Sequence, residues 1–230
     1  MPKNWTVDDV MTKAVVSVSE SAGYRSLVDL LIGRRFSAVP VVDDFRRVTG
    51  VVSEADLLRK VEYAGDEEPR LFDGRRRRGE RAKARAGTAA ELMSSPPVVT
   101  VPATPIAAAA RLMDAEGVKR LPVVDDLGRL VGVVTRGDLL KVHLRPDDEI
   151  RADVVGDVLG AVLGSLDGPV EVEVAEGVVT LTGRVDRWSV ADAAARLTRQ
   201  VAGVVDVDNK LVFNLDEREL RSAATIMGVP

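Results

Sequence analysis

The chain repeats itself. Sliding it by 82 residues lays Val39-Pro40-Val41-Val42-Asp43-Asp44 on Leu121-Pro122-Val123-Val124-Asp125-Asp126. The same offset places Gly50-Val51-Val52-Ser53-Glu54-Ala55-Asp56 on Gly132-Val133-Val134-Thr135-Arg136-Gly137-Asp138 and carries Leu57-Leu58 onto Leu139-Leu140. Each copy is an apolar strand, a turn, a second strand ending in Gly-h-h-Ser/Thr-x-x-Asp, and a helical pattern. A small unit present twice packs against its copy, and the cleft of such a pair lies where the two meet.

In the first copy Val15-Val16-Ser17-Val18 alternates as a short strand, Tyr24, Leu27, Val28 and Leu31 fall at helical spacing, and Gly33 stands where that helix would end. Strands Ala38 to Val42 and Val48 to Val52 flank the turn Asp43-Asp44-Phe45-Arg46, and Ser53 to Val61 closes the unit as a helix. The second copy has strand Val98 to Val101, Thr104 as helix N-cap with Pro105 at the first helical position, and Gly117 at the helix end. Strands Leu121 to Val124 and Leu130 to Val134 follow, then a helix from Thr135 towards His143. Val98 to Val101 matches Val15 to Val18 at an offset of 83, as a one-residue difference in the next loop would produce.

A doubled h-P-V-V-D strand followed by G-h-h-S/T-x-x-D resembles a tandem pair of cystathionine-beta-synthase (CBS) domains, the Bateman module. The resemblance implies an adenosine-ligand sensor rather than a catalyst, and a homodimer by analogy.

From about Asp147 the texture changes. Asp147-Asp148-Glu149 makes an acidic helix start, and Ile150, Val154, Val155, Val158, Leu159, Val162, Leu163 and Leu166 mark one apolar face that Pro169 stops. Val170 to Ala175 and Val178 to Thr182 alternate around Glu176-Gly177 as a hairpin. A helix over Arg187 to Gln200, a terminator at Gly203 and a strand over Val204 to Phe213 complete the order αββαβ. Gly177-Val178-Val179-Thr180-Leu181-Thr182-Gly183-Arg184-Val185, followed by the run Val201 to Leu211, resembles a BON domain. That family is associated with bacterial envelope proteins and a suspected phospholipid-binding role.

The expected architecture is α/β (α+β): two tandem CBS units, each β-α-β-β-α, packed as a pair and followed by a small αββαβ BON-like domain. Unit 1 covers residues 1–62, an arginine-rich linker 63–90, unit 2 residues 91–145, the BON-like domain 146–215 and a tail 216–230. The linker holds Arg70, Arg75, Arg76, Arg77, Arg78, Arg81, Lys83 and Arg85 against few acids, so it reads as solvated, with a nucleic-acid or polyphosphate contact as the functional alternative. A net charge of -4 argues against indiscriminate nucleic-acid binding by the whole chain.

The chain has no Cys, so it lacks a disulfide framework, a thiolate nucleophile and cysteine metal ligands. One His, His143, cannot build a His-based metal site. The opening Met1-Pro2-Lys3-Asn4-Trp5 has no apolar leader core, and no run is long enough to span a bilayer, so the expectation is a cytoplasmic protein. Trp5 and Trp188 are read as half-buried packing residues, with partner or membrane contacts as the functional alternative.

A nucleotide needs a slot for its flat base, an acceptor for ribose hydroxyls and donors for phosphate. An aspartate at a helix start suits adjacent ribose hydroxyls, and a hydroxyl three residues earlier lies at the positive helix end. Asp56 and Asp138 are therefore the candidate ribose residues, and Ser53 and Thr135 the phosphate residues; the CBS resemblance implies the same roles. It also implies base contacts on each unit's first strand, at Thr100 and its neighbours and at Ser17. Plain N-capping also produces Ser-x-x-Asp or Thr-x-x-Asp at a helix start. It explains either copy alone, but not the Gly and the h-P-V-V-D strand that accompany both.

The copies differ in charge. Arg136 and Lys119-Arg120 accompany the second hydroxyl and favour phosphate, whereas the matching residues of the first copy are Glu54, Ser37 and Ala38. An acid at Glu54 disfavours a polyphosphate. The expectation is one occupied site centred on Thr135 and Asp138, or two of unequal affinity, with Arg34 or Arg35 available to the other copy's ligand. Lys119 and Arg120 are equally readable as solvated charges at a strand start.

The leading functional reading is a regulator without catalytic residues, metal or cofactor. AMP, ADP, ATP or S-adenosylmethionine would bind in the cleft, and the state would pass through the BON-like domain. The competing reading is a scaffold whose BON-like domain binds phospholipid or envelope components. An enzyme ranks last, since no Ser-His-Asp set, metal cluster or P-loop is visible.

Overall fold

The computed structural model describes residues 5–63, 86–160 and 170–218. Most of the arginine-rich stretch, the apolar positions Val162, Leu163 and Leu166 with Pro169, and most of the tail lie outside them. The chain forms one compact unit over Thr6–Leu139 and another that gathers Trp5 with the chain from Leu140 onward.

In the first unit the two repeats fold alike. The first holds α1 (Val7–Val10), β1 (Val18–Ser19), α2 (Tyr24–Arg34), β2 (Ala38–Val42), β3 (Val48–Ser53) and α3 (Glu54–Glu62). The second holds α4 (Ala89–Leu92), α5 (Ile106–Ala115), β4 (Arg120–Val124), β5 (Leu130–Thr135) and α6 (Arg136–Leu140). Strands β2 and β3 pair antiparallel from Ala38↔Ser53 to Val41↔Gly50, then slip register before Val42. Strands β4 and β5 do the same from Arg120↔Thr135 to Val123↔Gly132, slipping before Val124. The near-continuous apolar runs of β2 and β4 are what strands covered on both faces require, and Val39, Val41, Leu121 and Val123 are all fully buried.

The opening helices are exchanged between the repeats. In α1, Val7 and Asp8 donate their backbone N–H groups to the carbonyls of Thr104 and Pro102, and Thr12 exchanges two backbone hydrogen bonds with Val133. Eighty-two residues on, Ala89 and Ala90 of α4 donate to Ala22 and Glu20, and Ser94 exchanges two bonds with Val51. The core of the first repeat accordingly contains Leu27, Leu31, Val39, Val41, Val52 and Leu57 together with Ala86, Ala89 and Leu92. The exchange is tight at two glycines: a Cβ on Gly50 would overlap the Met93 side chain, and one on Gly132 would overlap that of Met11.

The repeats also meet at equivalent turns. Arg47 bridges Arg129 in antiparallel fashion, Val48 donates to Gly128, and Leu130 donates to Arg46. Both turns carry a residue at positive φ, Gly128 at 76° in one and Arg46 at 62° in the other.

Helix ends depart from the sequence expectation by a residue or two. Helix α2 runs through Gly33, and Arg35 takes the left-handed cap at φ 54°. The Phe36 N–H then bonds back to the Leu31 carbonyl while its ring packs on the Leu27–Leu31 core, so the apolar contact after the cap sets the stop. Helix α5 has Pro105 as N-cap, because the Thr104 hydroxyl is engaged with Thr100 and the Val101 N–H. The expected strand at Val98 to Val101 reduces to one parallel bridge, Thr100↔Val123.

The second unit has α7 (Asp147–Asp153), continuing as a wider π-type segment over Val154–Leu159, then β6 (Glu171–Ala175), β7 (Val178–Arg187), α8 (Trp188–Thr198) and β8 (Asp206–Leu215). The sheet order is β6-β7-β8, with β7 antiparallel to β6 and parallel to β8. Glu176 and Gly177 both have positive φ, 52° and 75°, which gives the tight two-residue hairpin a type I′ turn. Asp147 braces that turn, its carboxylate oxygens accepting from the backbone N–H groups of Glu176 and Gly177, each at 2.9 Å. Ile150, Val154, Val158 and Leu159 of the predicted apolar face are buried, whereas Val155 is exposed. Arg145 donates to the Ala202 carbonyl at 2.6 Å and to Asp153 at 2.8 Å and faces the Trp5 ring, so Trp5 is a packing residue here.

Candidate functional site

Both strand-to-helix junctions are capping boxes. Ser53 donates its backbone N–H and its hydroxyl to Asp56 Oδ2 at 2.9 and 2.6 Å, and the Asp56 N–H returns to Ser53 Oγ at 3.4 Å. Thr135 and Asp138 repeat this at 2.9, 2.7 and 3.2 Å. N-capping is thus present in both copies, and it holds each carboxylate at its helix start.

A cleft of about 440 Å³ opens beside the first of these junctions. Ser53, Glu54 and Asp56 line one side, and Lys119 and Arg120 of the second repeat line another. Its apolar wall is made by Val51, Leu58, Pro96, Pro97, Val98 and Val118. The exchanged helices explain this mixture: the segment after α4 crosses Val51, so Pro96 to Val98 lie over the first repeat's junction.

Arg120 is tethered there at two atoms. Its Nη1 donates to the Ala38 carbonyl at 2.7 Å and its Nη2 to Ser37 Oγ at 2.6 Å, while Nε is buried with no protein partner among the described residues. Burial lowers the guanidinium pKa, opposed by the charges of Glu54 and Asp138. Lys119 is exposed on the same wall, and its carbonyl accepts the Arg136 N–H at 3.2 Å.

The structure therefore gathers Ser53, Asp56, Lys119 and Arg120 in one cleft. Lys119 and Arg120 adjoin Thr135 along the backbone, Arg120 being its cross-strand partner, but the cleft that both residues line is the other repeat's. Asp138 is buried and Arg136 exposed at the second junction, outside this cleft. Thr100 is also buried outside it, its hydroxyl donated to Thr104 at 2.9 Å, while its neighbour Val98 is on the wall. Ser17 is half-buried just before β1 and is not on the wall, nor are Arg34 and Arg35. Glu54, Ser37 and the two prolines are cleft residues that the motif alone does not single out. For Ser37 and Glu54 the signal in the sequence is the 82-residue pairing with Lys119 and Arg136; Pro96 and Pro97 have none of this kind.

Residues 7–63 and 89–145 match the CBS domain, and residues 146–214 match the BON domain. The crystal structure of CBSX2 in complex with AMP is 32% identical, with a TM-score of 0.54, covering 61% of this chain and 97% of that one. The chain belongs to the tandem CBS-domain family and carries a C-terminal BON domain. Among curated relatives, the chloroplastic CBS domain-containing protein CBSX2 of Arabidopsis thaliana is 31% identical over 153 residues, 61% of this chain and 64% of that protein. Chloroplastic CBSX1 of the same plant is 29% identical over 155 residues, 61% of this chain and 65% of that protein. The chain thus spans just under two thirds of the length of these relatives, and the shared part is the CBS pair. Among the described residues no helix is long and apolar enough to cross a membrane, and no cluster of His, Cys, Asp or Glu could hold a metal ion.

Proposed function

We propose that the CBS pair is a non-catalytic sensor that binds an adenosine nucleotide in the cleft between Ser53–Asp56 and Lys119–Arg120. The observation that carries this is the meeting, in one cleft, of an apolar slot, a helix-start carboxylate, a hydroxyl and two cations. The Val51, Pro97, Val98 and Val118 side chains offer a flat base its slot, Asp56 faces the ribose, and Lys119 with the Ser53 helix end takes the phosphate. CBSX2, which shares this fold, has been crystallised with AMP. The Thr135–Asp138 junction has the same geometry and is the proposed second, weaker site, since Lys119 and Arg120 serve the first.

Ligand binding would favour one arrangement of the repeats and pass that state to the BON domain. The competing proposal, a scaffold whose BON domain binds phospholipid or envelope components, needs no ligand in the CBS cleft. Thermal unfolding of the full chain with and without AMP separates them. A ligand that binds only the folded state at about a hundredfold over its Kd adds about 2.7 kcal/mol and raises the midpoint. An unchanged midpoint with AMP, together with pelleting on phospholipid vesicles, would favour the scaffold.

A further inference from the structure

Resting on the nucleotide-binding reading above, we infer that Glu54 makes this cleft selective for an adenosine ligand with a single phosphate and against ADP and ATP. The ionisable side chains on the wall are Glu54 and Asp56 against Lys119 and Arg120, two acids and two bases, so the cleft is neutral rather than cationic. The two bases are not equally available. Arg120 is tethered by the Ala38 carbonyl and Ser37 hydroxyl, and its charge is already drawn on by Glu54 and Asp138. Lys119, exposed on the wall, is left as the cation that a ligand can recruit.

One phosphate can be met by Lys119 and by the start of α3, whose dipole favours an anion. Each further phosphate brings about one more negative charge. It meets Glu54, the first residue of α3, while the other cation, Arg120, is held by Ser37 and Ala38. An acid so placed is a repulsive element that discriminates between ligands sharing every attractive contact. The second repeat shows the opposite choice, Arg136, at the position 82 residues on. The two junctions thus keep the capping geometry and differ in sign at one residue.

The test is calorimetric titration of the full chain with AMP, ADP and ATP, for wild type, Glu54→Gln and Glu54→Arg, the last copying the second repeat. Glu54 is exposed and its backbone N–H, not its side chain, bonds to the Ser37 carbonyl, so both variants should fold. Wild type should bind AMP at least about tenfold tighter than ATP, in line with a single unfavourable charge contact in a partly screened cleft. Glu54→Gln should narrow that gap and Glu54→Arg close or reverse it, through tighter ATP binding with AMP affinity moving less. Equal affinity of wild type for AMP and ATP, or a gap that neither variant moves, overturns the inference while leaving nucleotide binding standing. No binding of any adenosine nucleotide overturns both.

Discussion

Arg120 donates from Nη1 to the carbonyl of Ala38, the residue that holds Arg120's own place one repeat earlier, at 2.7 Å. The contact falls where the two repeats differ, since the first has Ser37-Ala38 where the second has Lys119-Arg120. Near-symmetry elsewhere and asymmetry here give the pair one cleft with Lys119 and Arg120 on its wall.

Arg120→Lys should therefore not be conservative. A lysine keeps the charge but cannot fork to both the Ser37 hydroxyl and the Ala38 carbonyl. Losing one charge-assisted hydrogen bond should cost about 2 kcal/mol in urea unfolding. A cost near zero would mean that the tether carries no stability.

Gly50→Ala should destabilise more than Gly132→Ala. A Cβ at Gly132 meets chiefly the flexible end of Met11, whereas one at Gly50 also reaches the Met93 Cβ at 2.9 Å, so backbone must shift. Overpacking of this kind costs about 1–3 kcal/mol, and Met93→Ala should recover only part of it. Denaturation midpoints of the two glycine variants and the double variant check the order.

The matched turns predict an acid response. At Asp43 desolvation pushes the carboxyl up but is outweighed by hydrogen bonds from Arg47 and the Phe45 N–H, and at Asp125 the Arg129 backbone and side chain, with the Leu127 N–H, hold it down. A carboxylate depressed in the folded state stabilises above its unfolded pKa, about 3.9, and that contribution is lost as pH falls through the lower folded value. Thermal midpoints measured downward from about pH 5 should fall less steeply in Asp43→Asn and Asp125→Asn than in wild type. Parallel slopes would show that these turns do not contribute to acid lability.

In the BON domain, Gly177→Ala should cost more than Asp147→Ala. Removing Asp147 takes the acceptor from two N–H groups, that of exposed Glu176 and that of Gly177, at about 1 kcal/mol. A methyl at Gly177 meets the Gly203 carbonyl and a Val205 methyl, each at 2.9 Å, at a φ of 75° that disfavours any side chain. Amide exchange should lose protection in β6 and β7 while β2 and β3 are unaffected.

The 82-residue offset made most of the CBS pair legible, because strand register, turn and capping box all follow from local spacing. Ser53 as cap of α3 and Glu176-Gly177 as the hairpin turn were readable for the same reason. The exchange of α1 and α4 was not: the apolar positions of Val7, Val10, Ala89 and Leu92 say that they are buried, not against which copy. That is why Lys119 and Arg120, adjacent to Thr135 through the β4–β5 pairing, suggested the second junction, while both residues line the cleft at the first. Gly33 misled because a glycine marks a helix end only where the chain needs positive φ, and Phe36 moved that need to Arg35.

Calorimetric titration of AMP into wild type, Asp56→Asn and Asp138→Asn tests the central claim most directly. Asparagine can still accept at the capping box, so the helix start survives while the ribose acceptor loses its charge. The account predicts that Asp56→Asn weakens the tighter site at least about tenfold, as loss of a charged hydrogen-bond acceptor requires, and that Asp138→Asn leaves it in place. Tight AMP binding that survives Asp56→Asn, or is lost only with Asp138→Asn, would contradict it.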